Sequence, residues 1–110
     1  MKIAIPTHGR NLTAHFGHCE SFAIVQVEDN NIQHIEFVDP PEHRPGVYPR
    51  FLANAGVDVI IAGGMGQKAR QLFSQNGIQV VVGISEGKPE ELVKRYLDEN
   101  LRPGENLCDH

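Results

Sequence analysis

The chain is organised around the stretch Val57-Asp58-Val59-Ile60-Ile61-Ala62-Gly63-Gly64-Met65-Gly66. Its first half is a run of β-branched residues with a single charge, which is typical of a strand buried on both faces. Its second half holds three glycines around one methionine, and glycine lets the backbone turn sharply and lets another group approach it closely. The stretch therefore predicts a central strand that ends in a glycine turn.

A helical pattern follows this turn, from about residue 65 to residue 76, with Ala69, Leu72 and Phe73 on one stripe. The free N–H groups at the start of such a helix, together with the helix dipole, favour an anion. We therefore predict that the turn binds a cofactor through Gly63, Gly64, Met65 and Gly66. The alternative is a tight connection between strand and helix that binds nothing.

The rest of the chain predicts an α/β domain with a mixed sheet. The predicted strands are residues 2–6, 21–28, 32–38, 57–62 and 78–82, and the predicted helices are residues 47–55, 65–76 and a third that begins at Pro89. Asp29-Asn30-Asn31 predicts a hairpin turn, because Asn and Asp tolerate left-handed backbone angles. The two strands separated by a helix are predicted to be parallel, with a right-handed crossover. We expect one domain over residues 1–104 and a polar tail over residues 105–110.

Composition limits the function classes. The chain has 110 residues, of which 40% are hydrophobic, so one domain with a hydrophobic core is expected. A net charge of −4 argues against binding to nucleic acid, which needs a basic surface. No apolar run approaches the roughly 20 residues of a membrane helix. Residues 1–6 are typical of a strand and lack the longer apolar core of a signal peptide. We therefore expect a cytoplasmic protein that contacts neither nucleic acid nor membrane.

The first candidate metal site is Ala14-His15-Phe16-Gly17-His18-Cys19. The two imidazoles and the thiol are spaced i, i+3 and i+4, so one helical turn would place them on one side. Thiolate and imidazole suit zinc, copper or iron, and thiolate is the usual ligand of iron–sulfur clusters. The alternative is a surface loop with two solvated histidines and a buried cysteine.

Two weaker candidates complete the predicted ligand set. The tail Leu107-Cys108-Asp109-His110 contains a Cys-x-His pair that could hold a metal with little strain, and His43 lies in the proline-rich segment 39–46. A disulfide between the two cysteines is not expected in a reducing cytoplasm. The predicted metal ligands are therefore His15, His18, Cys19, His43, Cys108 and His110.

The sequence signals for catalysis are weaker than those for metal binding. The glycine turn lacks the spacing of a dinucleotide fingerprint and the Gly-Lys-Ser/Thr of a phosphate loop. No serine lies in a nucleophile elbow. Cys19 next to His18 leaves a cysteine-dependent enzyme as an alternative, although adjacency in sequence does not give hydrogen-bond geometry. We predict no catalytic residues.

Several segments together resemble the dinitrogenase iron–molybdenum cofactor biosynthesis family, whose members bind or carry iron–sulfur-based metalloclusters. The matching segments are residues 1–6 (M-K-I-A-I-P), residues 12–19 (L-T-A-H-F-G-H-C), residues 22–25 (F-A-I-V), residues 43–46 (H-R-P-G) and residues 56–66 (G-V-D-V-I-I-A-G-G-M-G). They cover most of the chain, and the H-F-G-x-C and A-G-G-M-G pieces are specific in combination.

The resemblance implies a ribonuclease H-like fold with a five-stranded sheet in the order 3-2-1-4-5 and three helices. It implies cofactor binding without nuclease activity, and it makes His15 and Cys19 the foremost ligands. The interpretation is a carrier of an iron–sulfur-type cluster or an iron–molybdenum cofactor precursor, working with cofactor-assembly proteins. The rivals are a cofactor-free interaction module and the cysteine-dependent enzyme.

Overall fold

A computed structural model of the chain describes residues 1–13, 19–42, 44, 46–84 and 87–98. The strands are β1 (Lys2–His8), β2 (Asn11–Leu12), β3 (Ser21–Glu28), β4 (Asn31–Val38), β5 (Val59–Ile61) and β6 (Gln79–Val81). The helices are α1 (Val47–Asn54), α2 (Gln67–Gln75) and α3 (Pro89–Leu97). No helix in these ranges has the length and apolar character that crossing a membrane requires.

The six strands form one mixed sheet in the order β4-β3-β1-β5-β6, with β2 paired to β1 outside this path. β1 is antiparallel to β3 and parallel to β5, and β5 is parallel to β6. The predicted mixed α/β architecture, the parallel pair and the three helices are therefore confirmed. The hairpin is confirmed as well, because Asp29 and Asn30 adopt left-handed angles with φ of 52° and 62°.

The predicted number of five strands is wrong, because residues 11–12 form an additional strand against the end of β1. A strand of two residues is too short to produce a periodic signal. The predicted order 3-2-1-4-5 counts five strands and omits β2. It is therefore wrong for the six-stranded sheet, whose order is β4-β3-β1-β5-β6. The five segments predicted as strands nevertheless lie in the expected succession across the sheet.

The alternating burial of the strands produces two cores, one on each face of the sheet. Ala4, Phe22 and Ile60 point into the first core, which is covered by Leu52 of α1 and Phe73 of α2. The residues next to them in sequence point the other way, into a second core that is covered by Leu92 and Val93 of α3. Successive side chains of a strand point to opposite faces, so a strand with a helix on each side is apolar throughout.

The helix boundaries follow from backbone chemistry. Gly56 and Gly77 have φ of 84° and 76°, and each follows the residue that caps a helix, as expected for glycine at that position. α2 begins at Gln67, two residues later than predicted, because Gly66 is extended with φ −64° and ψ 157° and serves as the N-cap. Met65 therefore belongs to the turn and not to the helix.

Candidate functional site

The topology brings several chain segments to one edge of the sheet. β1 and β5 are parallel neighbours, so their C-terminal ends lie at the same edge. α1 leads directly into β5 and α2 leaves it, which places the N-terminal ends of these two helices at that edge as well. We call this region the carboxyl edge and define it as residues 6–8, 19–20, 46–48 and 62–67. Ligands of open α/β sheets bind preferentially at such an edge.

The segment that contains the predicted histidine and cysteine motif is anchored to the end of β1. The N–H of Thr13 donates to the carbonyl of Pro6 at 3.0 Å, and the N–H of Glu20 donates to the carbonyl of Thr7 at 2.8 Å. The fully buried Thr7 is tied in turn to Ser21, with 2.7 Å between the two hydroxyl oxygens. Thr13 and Glu20 are therefore bound to two consecutive residues at the end of β1.

Cys19 lies inside the first core, and its side chain is only 7% exposed. Tyr48, at the start of α1, is 3% exposed and donates a hydrogen bond from its hydroxyl to the Cys19 thiol. The Tyr48 ring packs edge-on against Phe22 of β3, with 5.1 Å between ring centroids. Sheet, helix and thiol therefore form one packed unit.

Burial raises the pKa of the Cys19 thiol to about 11, and hydrogen bonds from the Cys19 backbone and from Tyr48 only partly offset this increase. Burial also raises the pKa of Tyr48, and the neighbouring Cys19 adds to that effect. Reactive cysteines have a lowered pKa and an electropositive, partly exposed setting. The thiol of the described structure is therefore a neutral group in the absence of a metal, which would displace its proton on binding.

The raised pKa of Cys19 predicts a specific loss of stability at high pH. The folded state holds the proton more tightly than the unfolded state, whose thiol has its ordinary pKa of 9.0. The stabilisation, on the order of 2 kcal/mol, is present in full below pH 9 and is lost as the pH rises towards 11. Urea unfolding at pH 8 and pH 10.5 measures it. The Cys19→Ser variant should lose less stability over this interval, and an equal loss in variant and wild type would contradict the assignment.

A second prediction concerns Tyr48, which the sequence analysis missed. Tyr48→Phe should lower the free energy of unfolding by about 1 kcal/mol, because a buried hydrogen bond is lost while the ring remains. The pKa of Cys19 should rise further, because the Tyr48 hydroxyl lowers it. Alkylation rates against pH, measured with Cys108 replaced by serine, report that pKa.

The matched control for this prediction is Tyr96→Phe, because the Tyr96 hydroxyl lies 3.4 Å from Gln79 Oε1 on the exposed side of the molecule. The control should change neither stability nor the alkylation profile. An unchanged profile in Tyr48→Phe would show that its hydroxyl does not act on the thiol.

The glycine turn forms the other side of the carboxyl edge. Gly63 and Gly64 are buried, and the carbonyl of Gly63 accepts a hydrogen bond from the N–H of Gly83 at 2.9 Å. Met65 is 1% exposed and lies in the same core as Cys19. Gly66 is exposed, and a Cβ built on it meets no atom within 4 Å in the described part of the chain. Gly66 is therefore the position where a ligand can approach the helix.

The start of α2 is well suited to an anion. Its N-cap, Gly66, has no side chain that could cap it, and its first turn contains no acidic residue. α3 differs, because Glu90 and Glu91 lie in its first turn and already compensate the helix dipole. Among the residues that the structure describes, a negative ligand would therefore meet N–H groups without an acidic residue in the first turn of α2, and two carboxylates in the first turn of α3.

The structure places the predicted site residues unevenly. It brings Cys19 and Met65 into one core and sets Gly63, Gly64 and Gly66 at the same edge. The other five predicted ligands, His15, His18, His43, Cys108 and His110, lie outside the described residues. Within the described residues, no group of three potential metal-binding side chains is present.

A buried thiol and an uncapped helix start, together at the carboxyl edge of a small α/β sheet, define a candidate anion or metal binding domain. The chain belongs to the dinitrogenase iron–molybdenum cofactor family, which it matches over residues 1–99. The resemblance noted in the sequence is thereby confirmed.

The chain is also similar to individual proteins and solved structures. The chain is 35% identical over 107 residues to MJ0580, an uncharacterized protein of Methanocaldococcus jannaschii, and the match covers 92% of this chain and 89% of that protein. The crystal structure of PH0822 superposes with a TM-score of 0.86 at 28% identity and 94% coverage of each chain. The apo form of the orange protein from Desulfovibrio gigas superposes with a TM-score of 0.79 at 24% identity, covering 96% of this chain and 93% of that one, and at this identity it supports the fold alone.

Proposed function

We propose that the protein binds and carries an iron–sulfur-type metallocluster, or a precursor of the iron–molybdenum cofactor, at the carboxyl edge. Membership of the family relates the chain to this cofactor. The observation that carries the proposal is the placement of Cys19 and of the Gly63–Gly66 turn at the same edge, in a family defined by a metallocluster. The ribonuclease H-like classification belongs to this proposal as well.

The donor set fits such a cargo. A thiolate from Cys19 is a preferred ligand of iron and of clusters, and His15 and His18 precede it by four residues and by one residue. His43 and the tail residues Cys108 and His110 complete the proposed ligand set. The N–H groups at the start of α2 would hydrogen-bond to cluster sulfides, which carry negative charge. Cofactor-assembly proteins are the partners that deliver and receive the cluster in this proposal.

The cysteine-dependent enzyme is the weaker candidate. A nucleophilic cysteine is activated by an adjacent base or by a lowered pKa. The Cys19 thiol instead has a pKa raised to about 11 and a tyrosine hydroxyl as its partner. The family also points to cofactor assembly or carriage, so we infer that the chain is not an enzyme.

A cofactor-free interaction module remains the rival that experiment must separate from the proposal. We infer that the protein is cytoplasmic. We also infer that it has no useful affinity for nucleic acid, because its net charge is −4 and phosphate binding depends on positive charge.

Anaerobic reconstitution with iron and sulfide tests the proposal. The protein should acquire visible absorption from sulfur-to-iron charge transfer, together with iron and sulfide in constant ratio to the chain. The same treatment of urea-unfolded protein, followed by removal of excess reagents, is the control for unspecific deposition. A folded, colourless and metal-free product under these conditions would favour the interaction module.

A further inference from the structure

The outer edge of β4 is a surface to which the proposed function assigns no role. β4 spans the eight residues Asn31–Val38 and lies at the end of the sheet, with β3 on its inner side. Across the ranges that the structure describes, no strand pairs with its outer side. Such an edge presents backbone N–H and C=O groups that can accept one further strand.

The side chains of β4 limit which strand can be added. Gln33, His34 and Glu36 are exposed, and Phe37 is 39% exposed. The pairing with β3 is regular from His34 to Val38, whereas Gln33 is an extra residue at a register shift. His34 and Glu36 are two positions apart in the regular part, so they lie on the same face of the sheet.

We propose that the outer edge of β4 pairs with β4 of a second copy of this chain, antiparallel and centred on Ile35. A two-fold axis through Ile35 sets His34 opposite the partner's Glu36 and Glu36 opposite the partner's His34. Each pair joins an imidazole, which donates N–H in either charge state, to a carboxylate. Opposite-charge pairs directly across two strands are stabilising, and like charges are destabilising.

The neighbouring registers are less favourable. Centring the pair on Glu36 sets it opposite the partner's Glu36, which places two carboxylates together. Centring the pair on His34 sets it opposite the partner's His34 and leaves each Glu36 without an imidazole. A shift by one residue would put side chains of opposite faces together. The charge pattern of β4 is therefore self-complementary in one register.

Sedimentation equilibrium over a wide range of protein concentration measures the dimer. In the His34→Glu variant, residue 34 of each copy places a carboxylate opposite Glu36 of the other copy. Both cross-strand pairs change from attraction to repulsion, so the dissociation constant should rise roughly tenfold. Glu36→Lys should also weaken self-association. An equimolar mixture of the two variants should form a heterodimer at least as tight as the wild-type dimer, because the introduced carboxylate then faces the introduced ammonium group.

Two further variants make the test specific. Gln71→Glu adds the same charge at an exposed position of α2 and should leave the dissociation constant unchanged. Glu36→Gln should weaken the dimer in the register centred on Ile35, whereas it would strengthen a dimer centred on Glu36.

A chain that remains monomeric at about millimolar concentration would overturn the proposal, as would a Glu36→Gln variant that dimerises more tightly. Alternate N–H groups of residues 34–38 point away from β3, and only these report on the outer edge. Exchange protection of these outward N–H groups that is independent of protein concentration would also overturn the proposal and would point to a segment of the same chain as the occupant.

Discussion

Cys19→Ser is expected to reduce the iron and sulfide bound after anaerobic reconstitution to the background level, while the chain remains folded. Thiolate is the strongest soft ligand at the carboxyl edge, and serine offers only a weak hydroxyl ligand in its place. The cost to folding should be small, on the order of 1 kcal/mol, because the Tyr48 hydroxyl can still hydrogen-bond to a serine hydroxyl. Metal analysis beside urea unfolding separates the two effects.

The control for this prediction is Val27→Ala. Val27 is buried near the opposite end of the sheet, so the variant loses stability without altering the carboxyl edge. It should bind as much iron as wild type. Cys108→Ser, tested in parallel, decides whether the tail contributes a ligand. Wild-type metal content in Cys19→Ser would refute the assignment of Cys19.

Gly66→Asp is expected to stabilise the fold and to weaken cluster binding. Aspartate is a preferred N-cap, and its charge complements the helix dipole, so the free energy of unfolding should rise by about 0.5–1 kcal/mol. The same carboxylate occupies the N–H groups that a cluster would use and repels its negative charge. Loss of one charge-assisted hydrogen bond, about 1.5–3 kcal/mol, corresponds to a roughly 10- to 100-fold weaker association.

The matched variant for Gly66→Asp is Lys88→Asp. Lys88 is the N-cap of α3, is extended like Gly66, and makes no capping hydrogen bond through its side chain. This variant also places a carboxylate at a helix start, but on the face of the sheet opposite to α2. It should leave cluster binding unchanged. Equal binding by Gly66→Asp and wild type would show that the glycine turn is only a connector.

The elements with strong local signals were predictable from the sequence. Residues close together in sequence determine the strand at residues 57–62 and the two helix ends before Gly56 and Gly77. The structure confirms the strand and both helix ends. The strand β2 escaped prediction because two residues carry no period. α2 was predicted two residues too early because Met65 continues the apolar stripe, although it is buried in the turn.

The site itself was only partly predictable. Cys19 and the glycine turn were selected for their chemistry, but their presence at one edge depends on the parallel pairing of β1 with β5, a contact across more than 50 residues. Tyr48 was missed because the helix predicted over residues 47–55 carries no local signal of the direction in which the Tyr48 ring points. In the structure Tyr48 points inward, as Leu52 does one helical turn later, whereas Val47 and Phe51 are only partly buried. Its partner Phe22 lies on another strand, so no local pattern could indicate the contact.

The most direct test of the central claim is a map of the amide signals of the ¹⁵N-labelled protein before and after anaerobic loading with iron and sulfide. Bound iron broadens nearby signals, so the account predicts that Cys19, Glu20 and the residues 65–67 lose intensity. Asn30 and Gly77, at the opposite end of the sheet, should keep theirs. Loss of intensity centred on those two residues, with the carboxyl edge unaffected, would contradict the account.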